Sequence, residues 1–272
     1  MTDHHHSEEQ GGDLLDRGLR FDLAYLRDRR TVLSLLGAGA LGTGGALLLG
    51  SGTPASAATC SGSEIPAETA GPYPGDGSNG PNVLDDSGVV RRDIRRSFGD
   101  THRRAQGIDL TLTLRLVSTG DCDPLEGYAV YAWHCDAKGR YSMYSAGVTD
   151  QNWLRGVQVS GEKGIVRFRS VLPGCYPGRW PHVHFEVYRS KRAATRSGTP
   201  VATSQLALPR KVAAHVYAKR PRLYGDSATN LDQISLSSDN VFGDDGGVDQ
   251  LARVKGTLRR GYRAYLQVPI DV

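Results

Sequence analysis

The 272-residue sequence lacks any long block in which Lys or Arg alternates with aromatic residues. Its 33 basic residues occur singly or in short pairs such as Arg91-Arg92 and Arg259-Arg260, and the formal net charge is only +4. A nucleic-acid-binding protein is expected to concentrate basic charge in a patch or stripe. We therefore interpret the pairs as solvated surface and expect no nucleic-acid partner.

Internal repeats and a recognisable second domain are also absent from the sequence. With 39% hydrophobic and 23% charged residues, the composition is that of an ordinary globular chain. Such a length is enough for one good-sized hydrophobic core or two small ones.

The first sixty residues differ from the rest in composition. A polar stretch ends at Arg29-Arg30, a run rich in Gly, Ala and Leu extends to Gly50, and small residues follow up to Ala57. A charged lead, an apolar run and a small-residue site are typical of an export signal. The adjacent arginines before a weakly hydrophobic run resemble a twin-arginine signal.

We therefore expect an export signal at 1–57, cleaved near Ala57, and a mature domain at 58–272. The mature protein is then expected to be secreted, with no stable membrane association. The alternative is an uncleaved membrane anchor, because the apolar run is long enough to span a bilayer.

Cysteine is scarce, and the four cysteines all follow the predicted cleavage site: Cys60, Cys122, Cys135 and Cys175. An even number of cysteines in an exported chain favours disulfides. We expect the pairs Cys60–Cys122 and Cys135–Cys175. The alternative is that the thiols are free and buried.

The mature region is dominated by short segments in which apolar and polar residues alternate, separated by turn signals. Such a pattern predicts an all-β fold, a β-sandwich of mostly antiparallel strands with long loops and one short helix. Pro209 is suited to the first position of that helix. Residues 222–249 are expected to form a long irregular loop over one edge. The predicted strands are 109–117, 128–134, 165–171, 182–188, 201–206 and 262–268.

Residues 173–185 form the densest cluster of side chains that could carry chemistry. Alternate residues of a strand face the same side of a sheet, so His182 and His184 are expected to point together. Two imidazoles on one face can bind iron, copper or zinc. An H-x-H pair is weak evidence alone, because paired polar residues often simply face solvent in half-buried strands.

Three motifs in sequence order give this pair a context. They are W-H-x-D-x-x-G-x-Y ending at Tyr141, P-G-x-Y ending at Tyr176, and R-x-P-H-x-H from Arg179 to His184. In this order they resemble the intradiol ring-cleavage dioxygenases, over about residues 64–268. The resemblance implies a non-haem Fe(III) enzyme that uses O2 to cleave catechol-type aromatic diols between the two hydroxyl carbons. The products would be cis,cis-muconate-type diacids.

The same resemblance implies roles for individual residues. Arg179 would lie over the substrate, Gln205 would be an active-site glutamine, and Tyr176 would also accept a substrate proton. Tyr144 is an alternative to Tyr141 as a ligand. The implied iron ligands are Tyr141, Tyr176, His182 and His184.

Two other classes of protein remain as alternatives. A cupin-like metal enzyme also uses H-x-H, but Glu186 comes too soon after His184 for that pattern, and His215 lies in the predicted helix. A non-catalytic β-sandwich binding module would have no need of paired tyrosines and histidines. The assembly state stays open, with a homodimer among the alternatives.

Overall fold

The computed structural model describes residues 63–272. The expected export signal and Cys60 lie outside these described residues. Among the residues from 63 onwards, no helix combines the length and apolar character needed to cross a bilayer.

Two four-stranded sheets form the framework, as the predicted β-sandwich requires. One sheet has the strand order β4-β1-β8-β7 and the other has the order β3-β2-β5-β6. All pairings are antiparallel except that of β1 with β8, which run parallel. The strands are β1 Asp109–Ser118, β2 Ala129–Trp133, β3 Arg155–Val159, β4 Ile165–Val171, β5 His182–Tyr188, β6 Ala202–Ala207, β7 Arg253–Thr257 and β8 Gly261–Ile270.

The main core lies between the two sheets. Alternate residues of β1, such as Leu112 and Leu114, are buried there and belong to the same cluster as Val183 and Phe185 of β5. Because β5 alternates with a period of two, the imidazoles of this strand must point away from that core. The site-bearing face is therefore the outer face of the second sheet.

This outer face is covered by the irregular segment that precedes β1. The Tyr131 hydroxyl of β2 donates to the Pro74 carbonyl at 2.6 Å, and Arg155 Nη1 of β3 donates to the same oxygen at 2.7 Å. A second buried cluster, which includes Tyr131, Trp133 and Tyr141, fills the space beneath the segment. Because both faces of their sheet are covered, every residue of β2 and β5 is buried, including the polar residues of β5.

Four short helices follow β5: α1 Lys191–Ala194, α2 Arg210–Lys219, α3 Pro221–Tyr224 and α4 Ser227–Asp232, with a 3-10 turn at Leu236–Ser238. The predicted single helix corresponds to α2. Pro209 is not its first residue but the capping residue before it, with an extended ψ of 130°. The predicted irregular loop at 222–249 is partly helical, and one of its residues, Asp239, reaches the candidate site.

The predicted strands agree with the observed ones within one to two residues, but β3 and β7 had not been predicted. β3 begins at the buried Arg155, and its burial falls from buried to exposed along the strand without alternating. β7 is mostly exposed and contains Gly256, so it has no apolar periodicity. Both strands are held by their neighbours rather than by an alternation of their own.

The cysteines differ from the expected pairing. Cys135 and Cys175 are free and buried, so the predicted Cys135–Cys175 disulfide is wrong. Each thiol instead donates to a carbonyl, that of Gly174 for Cys135 and that of Arg179 for Cys175. Cys122 is disulfide-bonded. The predicted partner, Cys60, falls outside the described residues.

Candidate active site

Two histidines project from the outer face of β5. His182 and His184 are 2% and 3% exposed. The register pairs His184 with Trp133 of β2, and the indole stacks on the imidazole with ring centroids 4.9 Å apart and planes within 8°. His182 Nδ1 lies 2.5 Å from the Trp180 carbonyl, which can only accept a proton. Nδ1 is therefore the protonated nitrogen, and Nε2 keeps its lone pair for a ligand.

Tyr141 reaches the same place from the turn after β2. Asp136 Oδ1 accepts hydrogen bonds from the backbone N–H groups of Lys138 and Arg140, and its Oδ2 lies 2.7 Å from Arg140 Nη2. This turn needs Gly139, whose φ is +79°. The tyrosine side chain is 1% exposed.

Tyr176 comes from a second turn that packs directly on the first. A Cβ at Gly174 would lie 2.6 Å from the Ala137 carbonyl oxygen, and one at Gly139 would lie 2.9 Å from the Tyr176 Cβ. Glycine at both positions is therefore what allows the two turns to approach. Unlike Tyr141, Tyr176 is only half-buried, so its hydroxyl lies at the edge of the site.

The two hydroxyl oxygens and the two Nε2 atoms converge on one point. Tyr141 Oη lies 3.2 Å from His182 Nε2, 3.1 Å from His184 Nε2 and 3.5 Å from Tyr176 Oη. Tyr176 Oη lies 3.3 Å from His182 Nε2, and the two Nε2 atoms are 3.1 Å apart. Ligand atoms about 2 Å from a shared metal ion lie about 3 Å from one another, so the spacing fits an ion among the four.

The electrostatics of the four groups also fit a cation. Burial, with Arg179 adding to it, holds the pKa values of His182 and His184 well below the ordinary histidine value, so both are neutral and able to coordinate. Burial holds the pKa of Tyr141 well above the ordinary tyrosine value. A cation adjacent to this oxygen would reverse that effect, because it stabilises the phenolate.

Arg179 is fixed beside the four by a buried network. Its Nε lies 3.1 Å from Asp239 Oδ2, and its Nη2 donates to Gln205 Oε1 at 2.6 Å. The amide nitrogen of Gln205 donates in turn to the Thr69 carbonyl at 2.9 Å. Gln205 stands opposite His184 in the β5–β6 register. The structure thus brings both residues, predicted only from the family resemblance, to the same buried cluster.

The alternative ligand Tyr144 lies elsewhere. Its hydroxyl accepts a hydrogen bond from the Gly75 backbone N–H at 2.9 Å, and it does not join the four converging atoms. Tyr73, which the sequence did not single out, packs on Tyr141 with ring centroids 4.9 Å apart. Asp239 was also missed, because a lone Asp in a polar segment carries no local signal of a buried partner.

His134, by contrast, is structural. It is buried and lies between the Cys135 carbonyl, 2.7 Å from Nδ1, and the Ser170 hydroxyl, 2.6 Å from Nε2. Desolvation lowers its pKa to about 4. A neutral imidazole with both nitrogens engaged suits a structural role in the core.

Comparisons with known proteins agree with this architecture. A family model described as a dioxygenase matches residues 79–196, which include all four converging side chains and Arg179. The structure is similar to an intradiol ring-cleavage dioxygenase from Tetranychus urticae, with a TM-score of 0.60 and 25% sequence identity, covering 77% of this chain and 95% of that one.

Two curated proteins match over shorter stretches. A hydroxyquinol 1,2-dioxygenase of Rhizobium sp. (strain MTP-10005) is 35% identical over 72 residues, 26% of this chain and 24% of the relative. A catechol 1,2-dioxygenase of Pseudomonas sp. (strain EST1001) is 40% identical over 53 residues, 20% of this chain and 17% of the relative. The matches thus span about a quarter or less of these relatives' length.

The fold and the site define a β-sandwich protein in which two tyrosines and two histidines converge on the outer face of one sheet. With the family model and the structural similarity, they confirm the resemblance seen in the sequence. The chain is therefore similar, in sequence motifs and in fold, to the intradiol ring-cleavage dioxygenases.

Proposed function

We propose that this protein is a non-haem Fe(III) enzyme that opens catechol-type rings between the two hydroxyl carbons, incorporating both atoms of O2. The observation that carries the proposal is the convergence of Tyr141, Tyr176, His182 and His184, in which five of the six pairs of ligand-type atoms are 3.1–3.5 Å apart. A binding module would gain nothing from bringing four such groups together on one face.

The donor set suits Fe(III) in particular. Fe(III) is a hard cation with a preference for anionic oxygen, and two phenolates together with two neutral imidazoles provide both charge and nitrogen ligands. When bound, the ion orients the diol and O2 and stabilises the negative charge that develops between them. The four residues hold the ion, and the two turns that carry the tyrosines fix its position.

Tyr176 has a second task in this account. A catechol that binds through both oxygens must release two protons, and one acceptor has to be a protein group near the edge of the site. The Tyr176 hydroxyl oxygen meets this need, since the side chain is half-buried whereas Tyr141 is enclosed. Tyr176 therefore accepts a substrate proton, as general base catalysis by tyrosine requires.

Arg179 stabilises the negative charge that appears on the ring during attack. A guanidinium stays charged at all relevant pH values, and here it is held by Asp239 and Gln205 before substrate arrives. Preorganised cations in a water-poor site act most strongly where charge develops, so orientation matters as much as charge. Gln205 positions Arg179.

The direct test is to supply the iron-loaded full chain with catechol, hydroxyquinol or protocatechuate and to follow O2 uptake and product. The proposal expects one O2 consumed per diol and a muconate-type diacid that carries both atoms of ¹⁸O2. Tyr176→Phe should lose this activity, whereas Tyr128→Phe, a half-exposed tyrosine outside the site, should keep it. An iron-replete protein that opens none of these diols would refute the proposal.

We also propose, from the sequence, that the chain is exported through the twin-arginine route and acts outside the cytoplasm on diols released there. This route passes folded proteins, so iron would be inserted before export. Replacing Arg29 and Arg30 with Lys should retain the protein in the cytoplasm. Unchanged export of that variant would contradict this part of the proposal.

A further inference from the structure

The outer face of the first sheet, away from the site, collects basic side chains that are scattered in the sequence. Its inward residues are mostly apolar, while the outward residues are half-exposed or exposed except at the ends of β1, β4 and β8, where they are buried. We call this outward surface the basic sheet face. Six of its positions are cationic: Arg115, Arg167, Arg169, Arg253, Lys255 and Arg263.

The strand register shows that these cations share one face. Arg169 stands opposite Thr111 of β1, and the same threonine stands opposite Arg263 of β8 on its other side. Arg263 in turn faces Lys255 of the edge strand β7. Paired residues point to the same side of a sheet. This row therefore contains a cation on β4, a hydroxyl group on β1, and cations on β8 and β7.

The next row repeats the arrangement. Thr113 lies between Arg167 on β4 and Tyr265 on β8, and Arg253 stands beyond Tyr265 on β7. Neighbouring strands are about 4.8 Å apart, so cations on β4 and β8 flank the threonine column at a separation of about 10 Å. The face thus has basic margins with hydroxyl groups between them.

Acidic groups neutralise little of this charge. Among residues 63–272, one salt bridge involves any of the six cations. Its Arg169 Nη1 lies 3.7 Å from Asp93 Oδ2. Asp109, at the start of β1, is engaged by Arg95 and Arg104 instead. The net charge of the face is therefore strongly positive.

At one end the face deepens into a cavity of about 540 Å³. Arg169, Thr111 and Arg263 of the first row line it, together with Arg260 and Thr257 from the β7–β8 turn. The lining also includes Asp109, whose carboxylate is paired with Arg95 and Arg104, so guanidinium and hydroxyl groups still outnumber acidic ones. A cavity of this kind would accept one polar, anionic unit at the end of a chain laid along the face.

We propose that the basic sheet face binds an acidic polysaccharide, a chain of uronic acid sugars with a carboxylate on each residue. Guanidinium groups recognise carboxylates in a bidentate manner, and the threonine hydroxyls suit sugar hydroxyls. Single-stranded nucleic acid would need open aromatic platforms. The one aromatic side chain in these rows, Tyr265, is covered by Arg253, whose guanidinium carbon lies 4.8 Å from the ring centroid.

A lipid surface fits the face less well. Peripheral membrane binding combines basic charge with apolar side chains that insert below the headgroups. The outward rows carry Thr, Tyr and Gln between the cations. Their aliphatic residues are half-buried Ile165 and the buried Val117 and Val171, so no exposed apolar side chain is available for insertion. This inference is independent of the proposed ring-cleavage function, because the face and the catalytic site lie on different sheets.

The test measures binding of the full chain to polygalacturonate at low and moderate salt, with fully methyl-esterified polygalacturonate as the matched uncharged polymer. We expect salt-sensitive binding to the acid and none to the ester. The variant Arg167→Gln/Arg263→Gln/Lys255→Gln should bind the acid about tenfold more weakly, since exposed ion pairs contribute little individually and add up. Ring-opening activity should not change.

A control variant, Arg192→Gln/Lys211→Gln/Arg222→Gln, removes the same charge from exposed helical positions elsewhere. It should bind polygalacturonate as the unaltered chain does. The proposal is overturned if the acid does not bind, if both triple variants weaken binding equally, or if duplex DNA or phosphatidylserine vesicles bind more tightly than the acid.

Discussion

Asp239 Oδ2 accepts two hydrogen bonds in the buried interior, from Arg179 Nε at 3.1 Å and from the Trp180 backbone N–H at 2.6 Å. Its other oxygen accepts from the N–H groups of Val241 and Phe242. One carboxylate thereby holds both the arginine of the candidate site and the segment that covers it. The side chain of Asp239 is fully buried, so this charge depends on its partners.

Replacing Asp239 with Asn tests this positioning role. The amide oxygen can keep the bonds to Val241 and Phe242, while the amide nitrogen would face the Arg179 guanidinium. We expect the free energy of unfolding to fall by about 3 kcal/mol or more, as for a broken buried ion pair. Turnover should fall about 100-fold, because Arg179 loses its orientation.

The matched control is Asp232→Asn, which breaks the Arg210–Asp232 pair at a site where the carboxylate is 78% exposed. That variant should lose less than about 1 kcal/mol and keep its activity. If D239N, fully folded, turned over substrate like the unaltered enzyme, Asp239 would have no positioning role.

Gly139 and Gly147 have the same backbone conformation, so replacing each with Ala distinguishes the cost of local backbone strain from the effect on the site. Gly139 has a φ of +79° and Gly147 a φ of +78°. A Cβ at Gly147 meets nothing within 4 Å, whereas one at Gly139 lies 2.9 Å from the Tyr176 Cβ. G147A should lose roughly 1–2 kcal/mol through the left-handed conformation alone.

G139A should lose more stability than G147A, and Tyr176 should shift. The measurement is thermal unfolding together with the visible absorption of the iron-loaded proteins. We expect G147A to keep an unchanged band and G139A to have a weakened or displaced one. Identical spectra for the two variants would show that the contact between the turns does not position Tyr176.

The free energy of unfolding should fall as pH rises from about 7 to 8. Burial raises the pKa of Glu68 to about 8 and that of Glu186 to about 7, from an ordinary value of 4.5. In this window the buried histidines, whose pKa values are lowered, are largely neutral in both the folded and the unfolded chain. The folded state still retains carboxyl protons that the unfolded state has already released, so stability is lost as pH rises.

Glu68→Gln should flatten part of this pH dependence, since a neutral amide replaces a carboxyl group that must stay protonated. Glu126→Gln, at an exposed position, is the control and should leave the profile unchanged. Chemical denaturation at a series of pH values gives the profiles. A slope that is the same in E68Q and in the unaltered protein would exclude Glu68 as its source.

The two free thiols should be unreactive in the native protein. Burial holds the pKa of Cys135 well above the ordinary thiol value and raises that of Cys175 to about 12, so little thiolate exists at pH 8. Iodoacetamide should label both only after unfolding, without reductant, and should label Cys122 only after reduction. Mass spectrometry of labelled peptides gives the result, and a Cys135–Cys175 linked peptide would contradict it.

The parts of the fold that could be predicted from the sequence are those with their own periodicity. The alternating leucines of β1 and the H-x-H segment of β5 specify their strands locally. The family resemblance carried by the three motifs, rather than any periodicity, indicated which tyrosines would meet the two histidines. β3 and β7 could not be found this way, because neighbouring strands rather than their own residues determine them.

The same limit applies to the site. Nothing near Asp239 in the sequence indicates that it pairs with Arg179, which lies 60 residues earlier. The predicted Cys135–Cys175 disulfide was wrong for a related reason, because an even number of cysteines gives no information about where each thiol points. The basic sheet face could not be recognised from the sequence either, since its six cations come from four strands and become neighbours only through the strand register.

The central claim is that Tyr141 and Tyr176 bind Fe(III) together with the two histidines. The measurement that tests it most directly is the visible absorption spectrum of the iron-loaded full chain, before and after anaerobic addition of catechol. The account predicts a tyrosinate-to-Fe(III) charge-transfer band that shifts when catechol binds, is altered in Tyr141→Phe and Tyr176→Phe, and is unchanged in Tyr144→Phe. A protein that contains stoichiometric iron but has no such band would contradict it.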